Sequence, residues 1–193
     1  MEEIRAGPFP LIGYSRQGLV WRQTVKMDHS GANLFPWRKR LENRHRVPQA
    51  GAANGPGWLE RPAEKMPEEE YGFKPDPALR SFGQLLGHIA DANYLFCSPV
   101  LGEANPSPGV EKTKSSKAEL MAALHEAFTH ADRAYEALTE DNMNDMVQAF
   151  GGERIRLGVL WFNASHNLER YGSIAVYLRL KGIVPPNSES APK

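Results

Sequence analysis

The stretch LGVLWFNASHNLERYGSIAVYLRLKG (157–182) decides the fold. Its apolar residues recur every three or four positions rather than every two, which is the period of an α-helix. Leu157, Leu160, Trp161, Ala164, Leu168, Tyr171, Ala175 and Leu178 mark one side, and Val159, Phe162, His166, Arg170 and Tyr177 the other. A helix apolar on two sides is expected to lie between neighbours, at the centre of a bundle. Gly182 supplies a carboxy-terminal stop and Pro185-Pro186 follow it, because glycine takes the left-handed conformation that ends a helix and proline cannot continue one.

Upstream, MVQAF, Gly151-Gly152 and ERIR are two short runs around a glycine pair. If both glycines take positive φ, this is a small β-hairpin. Ser116-Lys117-Ala118-Glu119 is a capping box, and Leu120, Leu124, Ala127, Phe128, Ala131, Tyr135 and Leu138 follow it as one apolar stripe. GEANPSPGVEKTKS (102–115) reads as a loop. Ser81-Phe82-Gly83-Gln84 is a second capping box, opening a helix over about 81–98 that carries Leu85, His88, Ala92 and Leu95 on one face; Pro99 stops it within a turn. Before that, Gly55, Pro56, Gly57 and Pro62 leave room for barely two turns, about Trp58–Met66. The expected class is all-α: an antiparallel four-helix bundle whose first helix is short or irregular, with a β-hairpin before the last helix. Three full amphipathic helices without a fourth leave an apolar groove, which the tail or another subunit covers or which stays open.

Residues 1–57 lack either hydrophobic period and are expected to be an irregular, disordered basic tail, with AGAANGPG (50–57) as a joint. The bundle is expected over 58–187 and a disordered end over 188–193. The 193-residue chain is 41% hydrophobic and 24% charged, with 23 basic and 23 acidic residues. That balance conceals an asymmetry: residues 1–55 carry nine Lys/Arg against four Asp/Glu, and the remainder 14 against 19. The mildly acidic bundle has no electrostatic reason to bind nucleic acid; only WRKRLENRHR (37–46) offers a basic arm. The abrupt change of periodicity at Gly57 and the missing half of the first helix raise an alternative, that the tail is sequence outside the selected domain. No apolar run approaches the roughly 20 residues that span a bilayer. The start MEEIRAGPFP lacks signal-peptide character, and the lone Cys97 fits a reducing compartment, so a cytoplasmic location is expected.

Of six histidines, His29 and His45 fall in the tail, His130 reads as solvent-facing and His125 as a boundary residue. His88 and His166 each point inward from their own helix. An inward imidazole needs a hydrogen-bond partner or a metal, since burial without either costs about 1–3 kcal/mol. A second histidine four residues after His166 would share its helix face and, with His88, make a three-nitrogen metal site. Arg170 stands there instead, and a guanidinium has no lone pair for a metal.

AEKMPEEEYGFKPDPALRSFGQLLGHIADANYLFCS (63–98) and FNASHNLERYGSIAVYLRLKGIVPP (162–186) resemble DinB-family proteins, the DinB/YfiT-like four-helix bundles of bacteria. The resemblance runs from about Trp58 to Ser188, with GHIADAN and HN-x-E-x-YG-x4-YLRLKG both present in order. It implies an up-down-down-up type bundle, often a homodimer. It also implies a divalent metal held by one histidine on the second helix and an HxxxH pair on the last. Activity as a metal-dependent hydrolase, or as a thiol-dependent transferase or isomerase acting on a small molecule, goes with it. Carried over by position, His88 and His166 match the first two metal ligands and Arg170 occupies the place of the third.

Two readings follow. In the enzyme reading, His88 and His166 hold Zn²⁺ or Ni²⁺ with Asp91 or Glu169 as a substitute third ligand, and the ion activates a bound water or thiol. In the other, the metal is gone, and Arg170 binds a small anion, pairs with Asp91, or fills space in an interaction domain. Cys97, at the negative end of its helix dipole, is expected to be buried or inert. No Ser-His-Asp arrangement, phosphate-binding glycine loop or nicotinamide fingerprint occurs.

Overall fold

The computed structural model describes residues 57–189. The expectations for the basic tail, its nucleic-acid arm and the final four residues fall outside the described residues.

Helix α1 (Glu60–Lys65) is the short first helix. Despite its length it is well anchored: Trp58, Leu59, Ala63 and Met66 are buried, and Tyr71 donates from its hydroxyl to the Ala63 carbonyl at 2.9 Å. Its Lys65 pairs with Glu189 at 2.5 Å, just after a 3₁₀ turn over Pro186–Ser188. Glu189 is thereby linked to α1, while Ser188 Oγ accepts from Arg179 Nη2 at 2.8 Å.

Helix α2 (Phe82–Leu101) opens on the expected capping box: the Gln84 amide donates to Ser81 Oγ at 3.2 Å and the Ser81 amide to Gln84 Oε1 at 2.9 Å. Pro99 sits inside its last turn, and Gly102, at φ 70, makes the stop. The expected loop contains a four-residue helix, α3 (Val110–Thr113), packed on α2. The packing is possible because residue 87 is glycine: a Cβ there would lie 2.6 Å from Glu111 Cα. Helix α4 (Lys117–Glu136) starts at the Ser116–Glu119 capping box and buries the expected Leu120, Leu124, Ala127, Phe128, Ala131 and Tyr135. The hairpin pairs β1 (Met146–Ala149) with β2 (Gly152–Ile155), antiparallel, Ala149 opposite Gly152. Its two turn residues are Phe150 and Gly151, at φ 56 and 73, so the glycine pair is offset by one place from the turn it was expected to make.

Helix α5 (Arg156–Leu180) is present but not central. Both α4 and α5 pack chiefly on α2, which is the middle helix. Trp161, Phe162 and Leu168 are 72%, 51% and 57% exposed, against the expectation that both apolar sides of α5 are covered. The side α5 does bury runs through Leu160, Asn163, Asn167, Ile174 and Leu178, with polar residues at two core positions.

Those asparagines divide the interior. One apolar cluster joins α1 with the first half of α2, the first half of α4 and the end of α5; a second joins the far half of α2 with Tyr135, the hairpin and the start of α5. Between them lies a buried amide layer. Asn163 and Asn167 donate from Nδ2 to Asn93 Oδ1 at 2.9 and 3.1 Å, Asn93 Nδ2 donates to the Ile89 carbonyl at 2.8 Å, and the Tyr135 hydroxyl lies 2.9 Å from Asn163 Oδ1. Satisfied amides at this depth fix how α2 and α5 register against each other, since any slip leaves them unpaired.

Candidate functional site

The amide layer sets the height of the histidine pair. Asn167 is buried next to His166 on α5, and His88 is one turn and a half before Asn93 on α2. The two antiparallel helices bring His88 Nε2 and His166 Nε2 to 3.2 Å, so the convergence expected from separate helices occurs.

Each imidazole has a distinct environment. His88 Nδ1 lies 3.5 Å from Glu111 Oε2, and Glu111 Oε1 accepts from Arg80 Nε at 2.9 Å. A proton kept on His88 Nδ1 by that carboxylate leaves Nε2 as an acceptor for His166 Nε2–H. His166 Nδ1 is then a buried nitrogen without a hydrogen-bond partner among the described residues. Phe96 packs edge-on to the His166 ring at 5.5 Å. Burial, then the charges of His88 and Arg170, push the His166 pKa down to about 4; burial and then Arg80 lower that of His88. Both rings are neutral near pH 7, and His166 is too weak a base there to drive proton abstraction.

Arg170 lies one turn beyond His166, on the same face of α5. Its Nη2 donates to Glu169 Oε1 at 2.5 Å, while its Nε is buried and has no partner among the described residues. The Arg170–Asp91 pair considered from sequence is not made. Asp91 is occupied elsewhere: its two oxygens accept from the amides of Gly109 and Val110 at 2.9 and 2.8 Å and of Glu111 at 2.9 Å, holding the start of α3. Asp91 is thus the anchor that presents Glu111 to His88. Beside Arg170, a cleft of about 270 Å³ is lined by Arg80, Leu85, Val176 and Tyr177 among others. Tyr177 donates from its hydroxyl to the Arg80 carbonyl at 2.8 Å and so fixes that end of the cleft.

The donor set can be tested against the implied metal. Two imidazole nitrogens at 3.2 Å suit two ligands of one tetrahedral ion, whose Zn–N bonds of roughly 2.0–2.1 Å place them about 3.3 Å apart. The third donor is the difficulty. Arg170 offers no lone pair, Asp91 is committed to three amides, and Glu169 is exposed and turned to Arg170. Among the described residues no group of three His, Cys, Asp or Glu gathers around one point. The residues present therefore supply two-thirds of the implied site and place a fixed cation in the remainder, which does not fit a divalent ion.

The other histidines and the thiol sort differently. His130, expected to face solvent, is buried: its Nε2 meets Ser98 Oγ at 3.0 Å and its ring packs on Tyr94. It closes a polar gap between α2 and α4. His125 is exposed and pairs with Glu60 at 3.0 Å. Cys97 is buried, and burial pushes its thiol up to about 12, leaving no useful thiolate. Glu111 and Arg80 escaped sequence reading because both lie outside the long helices, where no periodicity marks an inward position. A charged pair on either side of a glycine-bearing capping-box helix is the faint signal that was available.

Similarity to known proteins matches this architecture. Residues 58–174 match the family model of the DinB superfamily. The chain is 30% identical over 124 residues to the uncharacterized protein YjoA of Bacillus subtilis (strain 168), covering 62% of this chain and 79% of that protein. The crystal structure of YjoA, a DinB-like protein, superposes with a TM-score of 0.55 at 19% identity, over 78% of this chain and 94% of the other, which is a likeness of fold. With a family model matched from α1 to late α5, the chain belongs to the DinB superfamily.

Proposed function

We propose that this DinB-like domain binds a small organic anion at the site built from His88, His166 and Arg170, and that the guanidinium stands in for the charge a metal supplies to relatives with three histidines. The observation that carries the reading is that the Arg170 side chain, beside two neutral imidazoles, lines the cleft of about 270 Å³ together with Arg80. A permanent cation lining an open cleft favours an anionic occupant, and a carboxylate is the acceptor that best matches a guanidinium edge. Arg80 lines the same cleft and donates from its Nε to Glu111, its two Nη groups having no hydrogen-bond partner among the described residues. In this reading the site recognises and holds its ligand; His166, with a pKa near 4, is a hydrogen-bond partner rather than a general base at neutral pH.

The second reading, a Zn²⁺ or Ni²⁺ enzyme with hydrolase or thiol-transferase chemistry, is favoured by one feature, the 3.2 Å approach of the two Nε2 atoms. Metal analysis and calorimetry on the full chain separate the two. The anion reading expects less than about a tenth of an equivalent of transition metal after growth in metal-rich medium. It also expects butyrate to bind the wild type, and Arg170→Gln to weaken that binding by about tenfold or more, as befits a charge-assisted contact. About one equivalent of bound metal, or butyrate binding indifferent to Arg170→Gln, overturns it.

A further inference from the structure

The cationic cleft beside Arg170 and a second, separate cavity at the hairpin lie at two ends of the same α2–α5 seam. Phe162, His166 and Arg170 are spaced four apart on α5 and so form one row along the helix. Facing them across the seam, α2 offers Leu85, His88 and Ala92 on the side expected from its pattern, with Leu95 exposed at the rim. Past Phe162 the seam meets the hairpin, where a cavity of about 570 Å³ is lined by Met146, Phe150, Ile155, Val159 and Phe162 among others. Phe96, buried beneath the seam, packs at 5.1 Å on Phe150, 5.3 Å on Phe162 and 5.5 Å on His166.

The two ends differ in kind. The Arg170 end is lined by two guanidinium groups; the hairpin end is walled mainly by methionine, isoleucine, valine and phenylalanine, several of them half exposed, with Glu153 and Arg154 also on its lining. Leaving such side chains in water is unfavourable, and a concave apolar cavity of several hundred Å³ is the size that takes part of a small molecule. The hairpin turn places Phe150 at φ 56, a conformation a phenylalanine rarely adopts, and the result is a ring set on the wall of this cavity.

Resting on the anion reading above, we propose that the ligand is an amphipathic carboxylate: its head group meets Arg170 and Arg80, and its apolar chain runs past His166 and Phe96 into the hairpin cavity. The spacing selects the length. Eight residues of helix from Phe162 to Arg170 span about 12 Å at 1.5 Å per residue, the reach of a medium-chain acid. A shorter acid fills only the cationic end.

The test is a chain-length series, butyrate to decanoate below micellar concentrations, titrated calorimetrically into the full-length protein. The expected affinity rises about threefold to fourfold for each methylene buried, and decanol, with the same chain and no charge, binds at least about tenfold more weakly than decanoate. Phe162→Ser flattens the series, read as a lower ratio of decanoate to butyrate affinity. Met146→Ser, at an exposed hairpin position outside the helix, makes the same change if Phe162→Ser disturbs α5. A flat series in the wild type with Arg170-dependent butyrate binding overturns the tail cavity and leaves the anion reading standing. A slope untouched by both variants also overturns it, because the chain then lies elsewhere. Absence of any carboxylate binding overturns both readings together.

Discussion

Gly87 and Glu111 pack so closely that a Cβ on residue 87 would stand 2.6 Å from Glu111 Cα and 3.0 Å from its amide nitrogen. Both obstructing atoms are backbone, so no rotamer change relieves the clash. Gly87→Ala must push α3 off α2, carrying the Glu111 carboxylate away from His88. The expected cost is about 1–3 kcal/mol, the usual range for overpacking, read by denaturant unfolding. Gly172→Ala is the control, since a Cβ there meets nothing within 4 Å in the middle of α5; its expected effect is a gain of about 0.5–1 kcal/mol from better helix propensity. Equal effects of the two substitutions would show that α3 does not rest on Gly87.

Asn93 is the common acceptor of the amide layer, receiving Asn163 Nδ2 and Asn167 Nδ2 while donating to Ile89. Asn93→Ala leaves two buried amide donors without that acceptor, with an expected loss of about 2–4 kcal/mol. The accompanying signature is a change in the His166 imidazole NMR shifts, because Asn167 is freed beside it. Loss of stability without any shift at His166 would make the layer structural only and unrelated to how the site is positioned.

The relation between α2 and α5 shows where the sequence was legible. The capping boxes at Ser81 and Ser116, the short first helix and the hairpin could be read because each rests on local chemistry: side-chain hydroxyls, prolines, a glycine pair. The convergence of His88 and His166 was legible too, since both positions fall on seam-facing sides of helices with clear periods. The α5 burial pattern was not. Asn163 and Asn167 occupy core positions while Trp161 and Leu168 face outward, which inverts the polarity rule that periodicity depends on. His130 was misplaced for the same reason: Ser98, the partner that makes its burial affordable, lies on another helix. The roles of Asp91 and Glu111 depend on a four-residue helix held by three long-range amide contacts, for which a single sequence carries no periodic trace.

The histidine pair also sets a pH dependence. The His166 pKa falls from its ordinary value to about 4 in the folded chain, mainly through burial. The unfolded chain then binds more protons between that value and about 6.5, so stability is full above pH 6.5 and is lost as pH falls through the window. Because the ring is only partly buried, the expected loss between pH 7 and pH 4.5 is about 1–2 kcal/mol, less than the whole shift implies. His166→Gln should flatten this part of the profile, measured as unfolding free energy against pH. An unchanged slope in that variant would assign the acid sensitivity to other groups.

Arg170→His is the most direct probe of what the site has become. The two Nε2 atoms already stand 3.2 Å apart, close to the separation of two imidazoles on one tetrahedral zinc, and residue 170 lies one helical turn from His166 on its own face. Replacing the guanidinium removes a repelling charge and adds the missing nitrogen in one step. The expected result is a rise in bound Zn²⁺ to about one equivalent, together with loss of the carboxylate binding assigned to Arg170. His88→Gln in the Arg170→His background should abolish the metal, which ties the gain to the pair rather than to a new surface site. If Arg170→His binds no metal, the 3.2 Å contact is a hydrogen bond between neutral imidazoles with no room for an ion. The third-ligand role that the family resemblance implies for position 170 then fails, while the anion reading is left to stand on butyrate binding alone.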